Sequence, residues 1–488
     1  MKRYIVALDE GTTSTRAVLY DVVTDRIIMQ KSSPIEQFYP EPSFVEENAN
    51  EIYAETLSSL VEVLESADDI HEIAGIGITN QRETVIAWDK ETGKPLYNAI
   101  VWQCRRTAEY MRKLGETHGR FLHEKTGLLP DAYFSASKIK WLIDNVPAVN
   151  ERLKEDKVLF GTVDSFLIYK LTGGKVFVTD ITNASRTMLV NLKTLDYDDE
   201  LLELFGIPRS SLAKIVACDE KVGEFVYNGV PIPVCGIAGD QQAALIGQRC
   251  FDDGDSKATY GTGLFLLCNI GSSPLISDGG LLTTVGYKIG DKTVYAYEGS
   301  VFNAGSSIQF LRDNLGFFQS SSGSEKLAKS VPDNGGVYFV PAFTGLGAPY
   351  WRGDARGVIS GLTRGSTKAH ITRAALESMA YSTRDLADVA EKDGGIKLTA
   401  LRADGGASVN DFLTGFIASI LGKKVIRPAE KESTALGAAY LCGIGLGIFT
   451  VEDLKNNVKD ERAFEPERDE KYERYYREWK KSIERCLI

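Results

Sequence analysis

The apolar positions along the chain alternate between short continuous runs and longer segments with helical spacing, which predicts an α/β fold. In the N-terminal half, the continuous runs predict strands at residues 4–8, 15–22, 73–78 and 231–239. The helical spacing predicts helices at residues 49–67, 105–125, 137–155 and 160–171, and a further helix begins at Asp240. Strands that alternate with helices in this way are typical of sheets covered by helices.

The opening pattern recurs about halfway along the chain. Residues 257–270 repeat the two opening strands, and a second round of strands and helices extends to about residue 450. The polar residues 252–255 predict a boundary near residues 248–254, so we expect one domain over residues 1–250 and another over residues 251–488. The tail from Glu461 carries aromatic and aliphatic residues at helical spacing, which predicts a terminal helix packed on its own domain.

Each of the two strand pairs encloses a short turn of Gly, Thr and Ser. The first turn is DEGTTS at residues 9–14, and the second is GTG at residues 261–263. Such turns present backbone N–H groups and hydroxyls together, and polyphosphate oxygens bind to both. Two of them predict a duplicated fold that holds a nucleotide from both sides. A third Gly-rich turn, DGGA at residues 404–407, is not assigned a position by this pattern.

Composition and missing motifs exclude several classes of protein. A net charge of −11 argues against a nucleic-acid partner, and the absence of an apolar run of roughly 18 residues or of a signal-peptide pattern predicts a cytoplasmic protein without membrane insertion. The seven scattered cysteines and the four histidines form no zinc or disulfide pattern. The chain also has no Walker-type P-loop and no H-R-D or D-F-G motif of the protein kinases.

Candidate chemistry follows two of the predicted buried strands. Asp240 lies between a strand and a helix, at the sheet edge where open α/β folds bind ligands, so it is either a general base or a helix N-cap. Arg82 and Glu83 follow the strand at 73–78 and either bind two neighbouring hydroxyls or form a structural salt bridge. Trp102 either covers the carbon side of a small polyol or fills the core.

Six longer motifs carry a resemblance to a known family. They are ITNQRET at 78–84, NAIVWQCRR at 98–106, TDITNASRTM at 179–188, GDQQAA at 239–244, PAFTGLGAPYW at 341–351 and TALGAAY at 434–440. In this order and over almost the whole length, the chain resembles the FGGY carbohydrate kinases, and among them the members that phosphorylate glycerol. The resemblance implies two ribonuclease-H-like domains of the actin, hexokinase and heat-shock ATPase superfamily, with ATP in the cleft between them.

The resemblance also implies the role of each site residue. ATP-dependent transfer to glycerol, giving sn-glycerol 3-phosphate, would use Asp240 as general base. Glycerol would be bound by Arg82, Glu83, Tyr133, Trp102, Asp240, Gln241 and Phe265. The nucleotide would be bound by Thr12, Thr13, Ser14, Arg16, Thr262, Gly305, Gln309, Gly406 and Asn410. Mg²⁺ would be oriented by Asp9, mainly through water.

Two other classes of protein remain as alternatives at this point. A sister FGGY kinase for a pentulose, gluconate or another polyol would keep both turns and Asp240, but not the contexts of Arg82, Glu83, Trp102 and Tyr133 together. A chaperone or filament protein of the same superfamily would keep the phosphate turns without a polyol pocket.

The resemblance further implies a homodimer or homotetramer. Residues 222–231 lack the Arg and the His through which some relatives are regulated.

Overall fold

The computed structural model describes residues 2–457 and 461–487. The strands, numbered in chain order, are β1 (Tyr4–Glu10), β2 (Ser14–Asp21), β3 (Arg26–Pro34), β4 (Gln37–Phe38), β5 (Glu46–Glu47), β6 (Ile73–Asn80), β7 (Ile86–Asp89), β8 (Ala99–Ile100), β9 (Val158–Gly161), β10 (Val178–Asp180), β11 (Val190–Asn191), β12 (Asp196–Tyr197), β13 (Lys214–Val216), β14 (Lys221–Tyr227), β15 (Val230–Gly239), β16 (Ser256–Tyr260), β17 (Leu264–Asn269), β18 (Leu282–Ile289), β19 (Lys292–Val301), β20 (Tyr338–Val340), β21 (Val358–Ser360), β22 (Leu401–Asp404), β23 (Val425–Arg427) and β24 (Arg462–Phe464). The helices are α1 (Ala49–Glu65), α2 (Ala108–Thr126), α3 (Ser135–Asn145), α4 (Pro147–Lys154), α5 (Val163–Leu171), α6 (Ile181–Ala184), α7 (Asp199–Phe205), α8 (Asp240–Gly247), α9 (Gly305–Asp313), α10 (Gly323–Lys329), α11 (Lys368–Gly394), α12 (Asp411–Leu421), α13 (Ser433–Gly445), α14 (Val451–Asn456) and α15 (Lys471–Cys486).

The first large sheet is built by six strands in the order β14-β15-β6-β1-β2-β3. Strands β1 and β2 form an antiparallel hairpin, whereas β1, β6 and β15 are mutually parallel. All eight residues of β6 are buried, as expected for a parallel strand covered on both faces. In the register, Glu10 pairs with Asn80 and Asn80 with Gly239, so these three strands end at one edge of the sheet.

The second large sheet repeats this arrangement with seven strands in the order β18-β19-β17-β16-β22-β23-β24. Strands β16 and β17 form the antiparallel hairpin, and β22 runs parallel to β16. Thr259 pairs with Asp404, so the second hairpin turn and the Gly-rich turn after β22 lie at the same sheet edge. The predicted recurrence of the opening pattern is therefore present in the structure as a second hairpin sheet.

Helix α13 comes from the second half of the chain but packs on the first sheet. A Cβ added at Gly77 on β6 would lie 2.4 Å from the carbonyl oxygen of Ala438, and one added at Gly437 would lie 1.8 Å from that of Ala243 on α8. Backbones that approach this closely leave no room for a side chain. The predicted boundary between residues 1–250 and 251–488 stays a prediction, and α13, from the second range, packs against β6, β15 and α8 of the first.

Two of the predicted helices differ from the structure. The helix predicted at 137–155 is divided into α3 and α4, because Pro147 begins a new helix and has no N–H to continue the old one. The helix predicted at 160–171 is wrong in its first residues, where the buried strand β9 precedes α5. The predicted terminal helix is present as α15, whose Trp479 and Ile483 are buried.

Within the described part of the chain, no helix is long and apolar enough to cross a membrane. The seven cysteines are buried free thiols.

Candidate functional site

The first hairpin turn leaves its polar groups accessible at the edge of the first sheet. Its backbone is closed by a hydrogen bond from the Gly11 amide to the Ser14 carbonyl oxygen, 3.0 Å long. Thr13 is exposed, while Thr12 and Ser14 are half-buried. The indole Nε1 of Trp102 donates to Thr12 Oγ1 at 2.9 Å, so the turn is in direct contact with a predicted glycerol residue.

The second hairpin turn packs against the start of α9. Gly261 N donates to Gly263 O at 2.9 Å, and the Thr262 carbonyl accepts from the amide of Ala304 at 2.9 Å. A Cβ at Gly305 would lie 2.4 Å from the Gly261 carbonyl oxygen, which explains the glycine at this position. The structure thus brings Thr262 and Gly305 together, and Gln309 lies exposed on the same helix.

The third Gly-rich turn lies beside the second hairpin. Gly405 has a φ of 84° and sits over the backbone of Tyr260, the last residue of β16. Gly406 begins a short 3-10 helix (Gly406–Val409) and faces open space. Asn410 caps α12 by accepting from the amide of Leu413 at 3.0 Å, so its side-chain oxygen has a structural role here.

Asp9 and Arg16 face each other across the first hairpin. The two residues pair in the β1–β2 register, and Arg16 Nη1 lies 3.6 Å from Asp9 Oδ2 while it also contacts Glu432 from the second half of the chain. Burial raises the pKa of Asp9 to about 7, Arg16 opposes this shift, and the charges of Asp240 and Glu432 add to it. A bound cation would therefore favour the ionised form of Asp9.

A magnesium ion fits this position if one carboxylate and otherwise water and phosphate oxygens hold it. Within residues 2–457 and 461–487, no cluster of three or more His, Cys, Asp or Glu is arranged as a cation cage. Mg²⁺ takes hard oxygen ligands, keeps several waters and is commonly bound through one or two carboxylates plus substrate phosphates. The largely buried carboxylate of Asp9 meets that requirement. It lies beside the first hairpin turn, which we call a phosphate-type turn because it presents N–H groups and hydroxyls that can bind phosphate oxygens.

Arg82 is the centre of the polar cluster beyond β6. Its two terminal nitrogens bind the carboxylate of Glu298 at 2.5 and 3.2 Å, and Nη1 also donates to Gln242 Oε1 at 3.2 Å. Its Nε lies 3.1 Å from Asp240 Oδ1, and Nη2 lies 3.5 Å from the hydroxyl of Tyr133. Three of the predicted glycerol residues are therefore in direct contact.

Glu83 is paired with Arg186, whereas Arg82 is paired with Glu298. Arg82 and Glu83 therefore do not form a salt bridge with each other, which was the structural alternative to hydroxyl binding. Its Oε1 accepts from Nε of Arg186 at 2.5 Å, and Nη2 of Arg186 donates to Glu298 at 3.0 Å. Glu83 also has a φ of 60°, a left-handed conformation that is uncommon for residues with a Cβ. Strained backbone of this kind clusters at functional sites.

Asp240 is the first residue of α8, and the N-cap position belongs to Gly239. Asp240 Oδ1 accepts from the amide of Gln241 at 2.7 Å, and Oδ2 accepts from Nε2 of Gln241 at 3.1 Å. Lys257 Nζ, from the second sheet, donates to Gln241 Oε1 at 2.5 Å and thereby orients that amide. The Asp240 side chain is 33% exposed, so an oxygen can still accept a proton from a ligand.

Two aromatic residues of the predicted site, Trp102 and Tyr133, lie beside this cluster. The rings of Trp102 and Tyr133 are 5.5 Å apart in an edge-on arrangement, and Trp102 is half-buried. Trp102 therefore lies at the rim of the site and does not fill the core. Phe265 is also half-buried, on β17, where it pairs in register with Thr259 and Ser300 of the second sheet.

Sequence reasoning missed three charged residues that hold the cluster together. Arg186 lies within one of the six motifs, but the resemblance implies no role for it. Lys257 and Glu298 lie outside those motifs. All three are fully or almost fully buried. For Lys257 and Glu298 the available signal was a charged side chain inside a strand, because such residues are rarely buried unless they are paired. Arg186 lies between α6 and β11 and carried no such signal.

Two hairpin sheets that meet across such a cluster define a two-domain, actin-like kinase architecture. The N-terminal domain of the FGGY family of carbohydrate kinases matches residues 4–247, and the C-terminal domain of the same family matches residues 256–446. The chain belongs to the FGGY family of carbohydrate kinases. This membership confirms the predicted family and the predicted two-domain fold class.

Individual relatives cover nearly the whole chain. Glycerol kinase 2 of Thermotoga maritima is 51% identical over 99% of this chain and 99% of its own length, and glycerol kinase 2 of Sulfolobus acidocaldarius is 49% identical over 100% and 98%. The crystal structure of Plasmodium falciparum glycerol kinase with ADP superposes with a TM-score of 0.93 at 37% identity, over 99% of this chain and 98% of that one. A ligand-bound xylulose kinase from Lactobacillus acidophilus, with a TM-score of 0.90 over 99% and 98%, shares the fold at 23% identity.

Proposed function

We propose that this chain transfers the γ-phosphoryl group of ATP to glycerol, giving sn-glycerol 3-phosphate and ADP. The observation that carries the proposal is the contact of Arg82 with both Asp240 and Tyr133, at the sheet edge beside the first phosphate-type turn. Full-length relatives named glycerol kinase, at about half identity, confirm the predicted activity. The residue roles and the mechanism that follow are our proposal.

The cluster offers a donor and two acceptors to a small polyol. One N–H of Arg82 Nη2 has only a loose contact, the 3.5 Å approach to Tyr133. Arg186 binds Oε1 of Glu83, and among the described residues no donor is bound to its Oε2. Together with Asp240 these groups match three neighbouring hydroxyls. Trp102 and Phe265 would pack against the carbon side, and Gln241 would add a polar contact.

Asp240 is the proposed general base. Its position at the start of α8 is fixed by Gln241 and Arg82, so the carboxylate is oriented before the substrate binds. The attacking hydroxyl of glycerol would give its proton to a carboxylate oxygen of Asp240 as the new O–P bond forms and the bond to the ADP oxygen breaks. Positioning and electrostatic stabilisation supply most of the catalysis in such a loose transition state.

The two hairpin turns would hold the phosphates from opposite sides. On the first side the proposed contacts are Thr12, Thr13, Ser14 and Arg16, and on the second side Thr262. The rest of the nucleotide would lie against Gly305, Gln309, Gly406 and Asn410. Mg²⁺, oriented by Asp9, would supply positive charge to the phosphate oxygens. Closure of the cleft would exclude water and limit hydrolysis of ATP.

A coupled assay of ADP release tests the function directly. The purified chain is incubated with ATP and Mg²⁺, and with glycerol, dihydroxyacetone, xylulose or gluconate. We expect glycerol to give the highest kcat/KM. ADP release with glycerol at the rate seen in buffer would overturn the proposal, and a preference for xylulose or gluconate would favour a sister kinase instead.

The cytoplasmic location and the homodimer or homotetramer stay predictions.

A further inference from the structure

Glu298 is a buried carboxylate in the middle of a strand of the second sheet. It lies on β19, between Tyr297 and Gly299, and is fully buried. Its two strongest partners, Arg82 and Arg186, both come from the first half of the chain. The carboxylate therefore joins the second sheet to the polar cluster of the first.

The electrostatic balance at Glu298 shows how strongly this junction is held. Burial alone would raise the pKa of Glu298, but the charges of Arg186 and Arg82 outweigh it and lower the pKa to about 2. Oε1 accepts from Arg186 Nη2 at 3.0 Å and from Arg82 Nη2 at 3.2 Å, and Oε2 accepts from Arg82 Nη1 at 2.5 Å. One carboxylate thus binds two guanidinium groups that would otherwise repel each other.

The donors of Arg82 show what this binding accomplishes. A guanidinium carries five N–H groups in a rigid plane. Glu298 takes one from each terminal nitrogen, Gln242 takes the second from Nη1, and Nε faces Asp240. The one donor left with only a 3.5 Å contact is on Nη2, beside Tyr133. Glu298 therefore sets the plane of the guanidinium and the direction of its remaining donor.

Arg186 transmits the same constraint to Glu83. Its Nε binds Glu83 Oε1 and its Nη2 binds Glu298, while its guanidinium carbon lies 5.5 Å from the ring centre of Tyr133. The side chain is fully buried, and within the described part of the chain its Nη1 has no hydrogen-bond partner. Arg186 therefore orients Glu83 and Glu298, although one of its own buried donors, Nη1, stays without a hydrogen bond.

We infer that Glu298 and Arg186 are positioning residues of the polyol site, which fix the Arg82 donor and the Glu83 acceptor at the spacing of two neighbouring hydroxyls. The inference rests on the proposed function of this same site. Neither side chain needs to contact the substrate. The second sheet thereby contributes to polyol recognition through Glu298 as well as to phosphate binding.

The test compares Glu298→Gln and Arg186→Lys with the wild type. Gln has the same shape but points an amide donor at one guanidinium, and Lys keeps the charge but cannot span both carboxylates. Glycerol binding is measured by titration calorimetry without nucleotide, and KM is measured for glycerol and for ATP. We expect the Kd and KM for glycerol to rise at least about tenfold in both variants, with KM for ATP within about threefold.

Glu377→Gln is the matched control. Glu377, on α11, is also a fully buried carboxylate, and it is bound by Arg373 and Tyr381 of the same helix and by Asn334 from outside it. Its loss is expected to lower the Tm with little change in glycerol affinity. If Glu298→Gln does not fold, Arg186→Lys alone decides.

Two results would overturn the inference. One is a Kd for glycerol within about twofold of the wild type in a folded variant. The other is a parallel loss of glycerol and ATP affinity. A wild type without turnover on glycerol would instead overturn the proposed function, and the same assays distinguish the two failures.

Discussion

At the scale of single residues, the site is defined by which polar groups are already paired. Asp240 is held by Arg82 and Gln241 yet keeps a third of its side chain exposed, so it combines a fixed orientation with access to a ligand. Arg82 and Glu83 likewise each keep one group available for a hydroxyl. The arrangement is built in advance of binding, which reduces the ordering that a substrate must impose.

Replacing Asp240 tests its role as base. Asp240→Asn keeps the shape and the hydrogen bond from the backbone amide of Gln241 but removes the proton acceptor, so we expect kcat to fall by about a thousandfold or more. The Kd for ATP, measured by calorimetry, should stay within about threefold of the wild type. Asp278→Asn, at an exposed position, is the control with unchanged kinetics. Near-normal turnover of Asp240→Asn would contradict the assignment.

The sequence could predict the residues that follow buried strands but not their partners. Arg82, Glu83 and Asp240 stand next to apolar runs, and such positions lie at a sheet edge in any α/β fold. Glu298 contacts Arg82 across 216 positions of the chain. A contact of that separation depends on how two sheets pack, and local pattern carries no information about it.

At the scale of elements, glycines determine how closely the turns approach their neighbours. Gly305 starts α9 against the carbonyl of Gly261, and this contact sets the position of the second phosphate-type turn. Hairpins and buried strands were predictable because their apolar runs are short and bounded by turn residues. The strand β9 was not, because an apolar run of four residues suits a strand and a helix equally well. The division at Pro147 did have a signal, because a proline cannot continue a helix.

A methyl group at Gly305 should disturb nucleotide binding selectively. The added Cβ of Gly305→Ala would lie 2.4 Å from a backbone oxygen, so the turn at 261–263 must shift. We expect KM for ATP to rise about tenfold while KM for glycerol changes little. Gly365→Ala is the matched control, since its Cβ would have only an ordinary 3.8 Å contact with Thr363. Equal effects on both substrates would contradict a local role of the turn.

A buried acid pair links α5 to β10 and makes stability depend on pH. Asp164 accepts from the hydroxyls of Thr162 and Thr179, at 2.5 and 2.8 Å, and Asp180 lies beside it. Burial, with the charge of Asp180 in addition, raises the pKa of Asp164 to about 7. The folded state therefore keeps a proton that the unfolded chain releases near pH 4, so this group loses stability as the pH rises from about 4 through about 7.

Asp164→Asn should remove that loss. We expect the variant to be more stable than the wild type at about pH 8, by a free energy of unfolding on the order of 4 kcal/mol, and to show a gain of less than about half that size at about pH 5. Thermal unfolding at both pH values measures it. Asp199→Asn, at a position with an 87% exposed side chain, should show the same small difference at each pH. A pH-independent effect of Asp164→Asn would contradict the raised pKa.

At the scale of the whole molecule, the chain is a duplicated hairpin sheet whose two copies are joined by a polar cluster. The meeting point is polar, with Glu298 and Lys257 of the second sheet bound to Arg82 and Gln241 of the first. The outer faces are covered by helices, and α15 closes the second half. Its Trp479 donates to the carbonyl of Phe339 at 3.1 Å and packs beside Tyr381.

Loss of the Trp479 ring should destabilise the second half strongly. Trp479→Ala removes a buried aromatic side chain and leaves a cavity, which costs about 3–5 kcal/mol. We expect a lower Tm with little change in KM for glycerol, because the polyol cluster is built mainly on the first sheet. Arg477→Ala on the exposed face of the same helix is the control. A Tm unchanged by Trp479→Ala would show that α15 is not required for the fold.

The placement of α13 limits how the two halves can be recombined. This helix lies within the second half in sequence, yet its backbone touches β6 and α8 of the first so closely that Gly77 and Gly437 admit no side chain. A chimera that joins the first half of this chain to the second half of a relative would therefore inherit a foreign helix against its own sheet. Such an exchange is tolerated only between relatives that match in these small residues, so the two halves are constrained to diverge together.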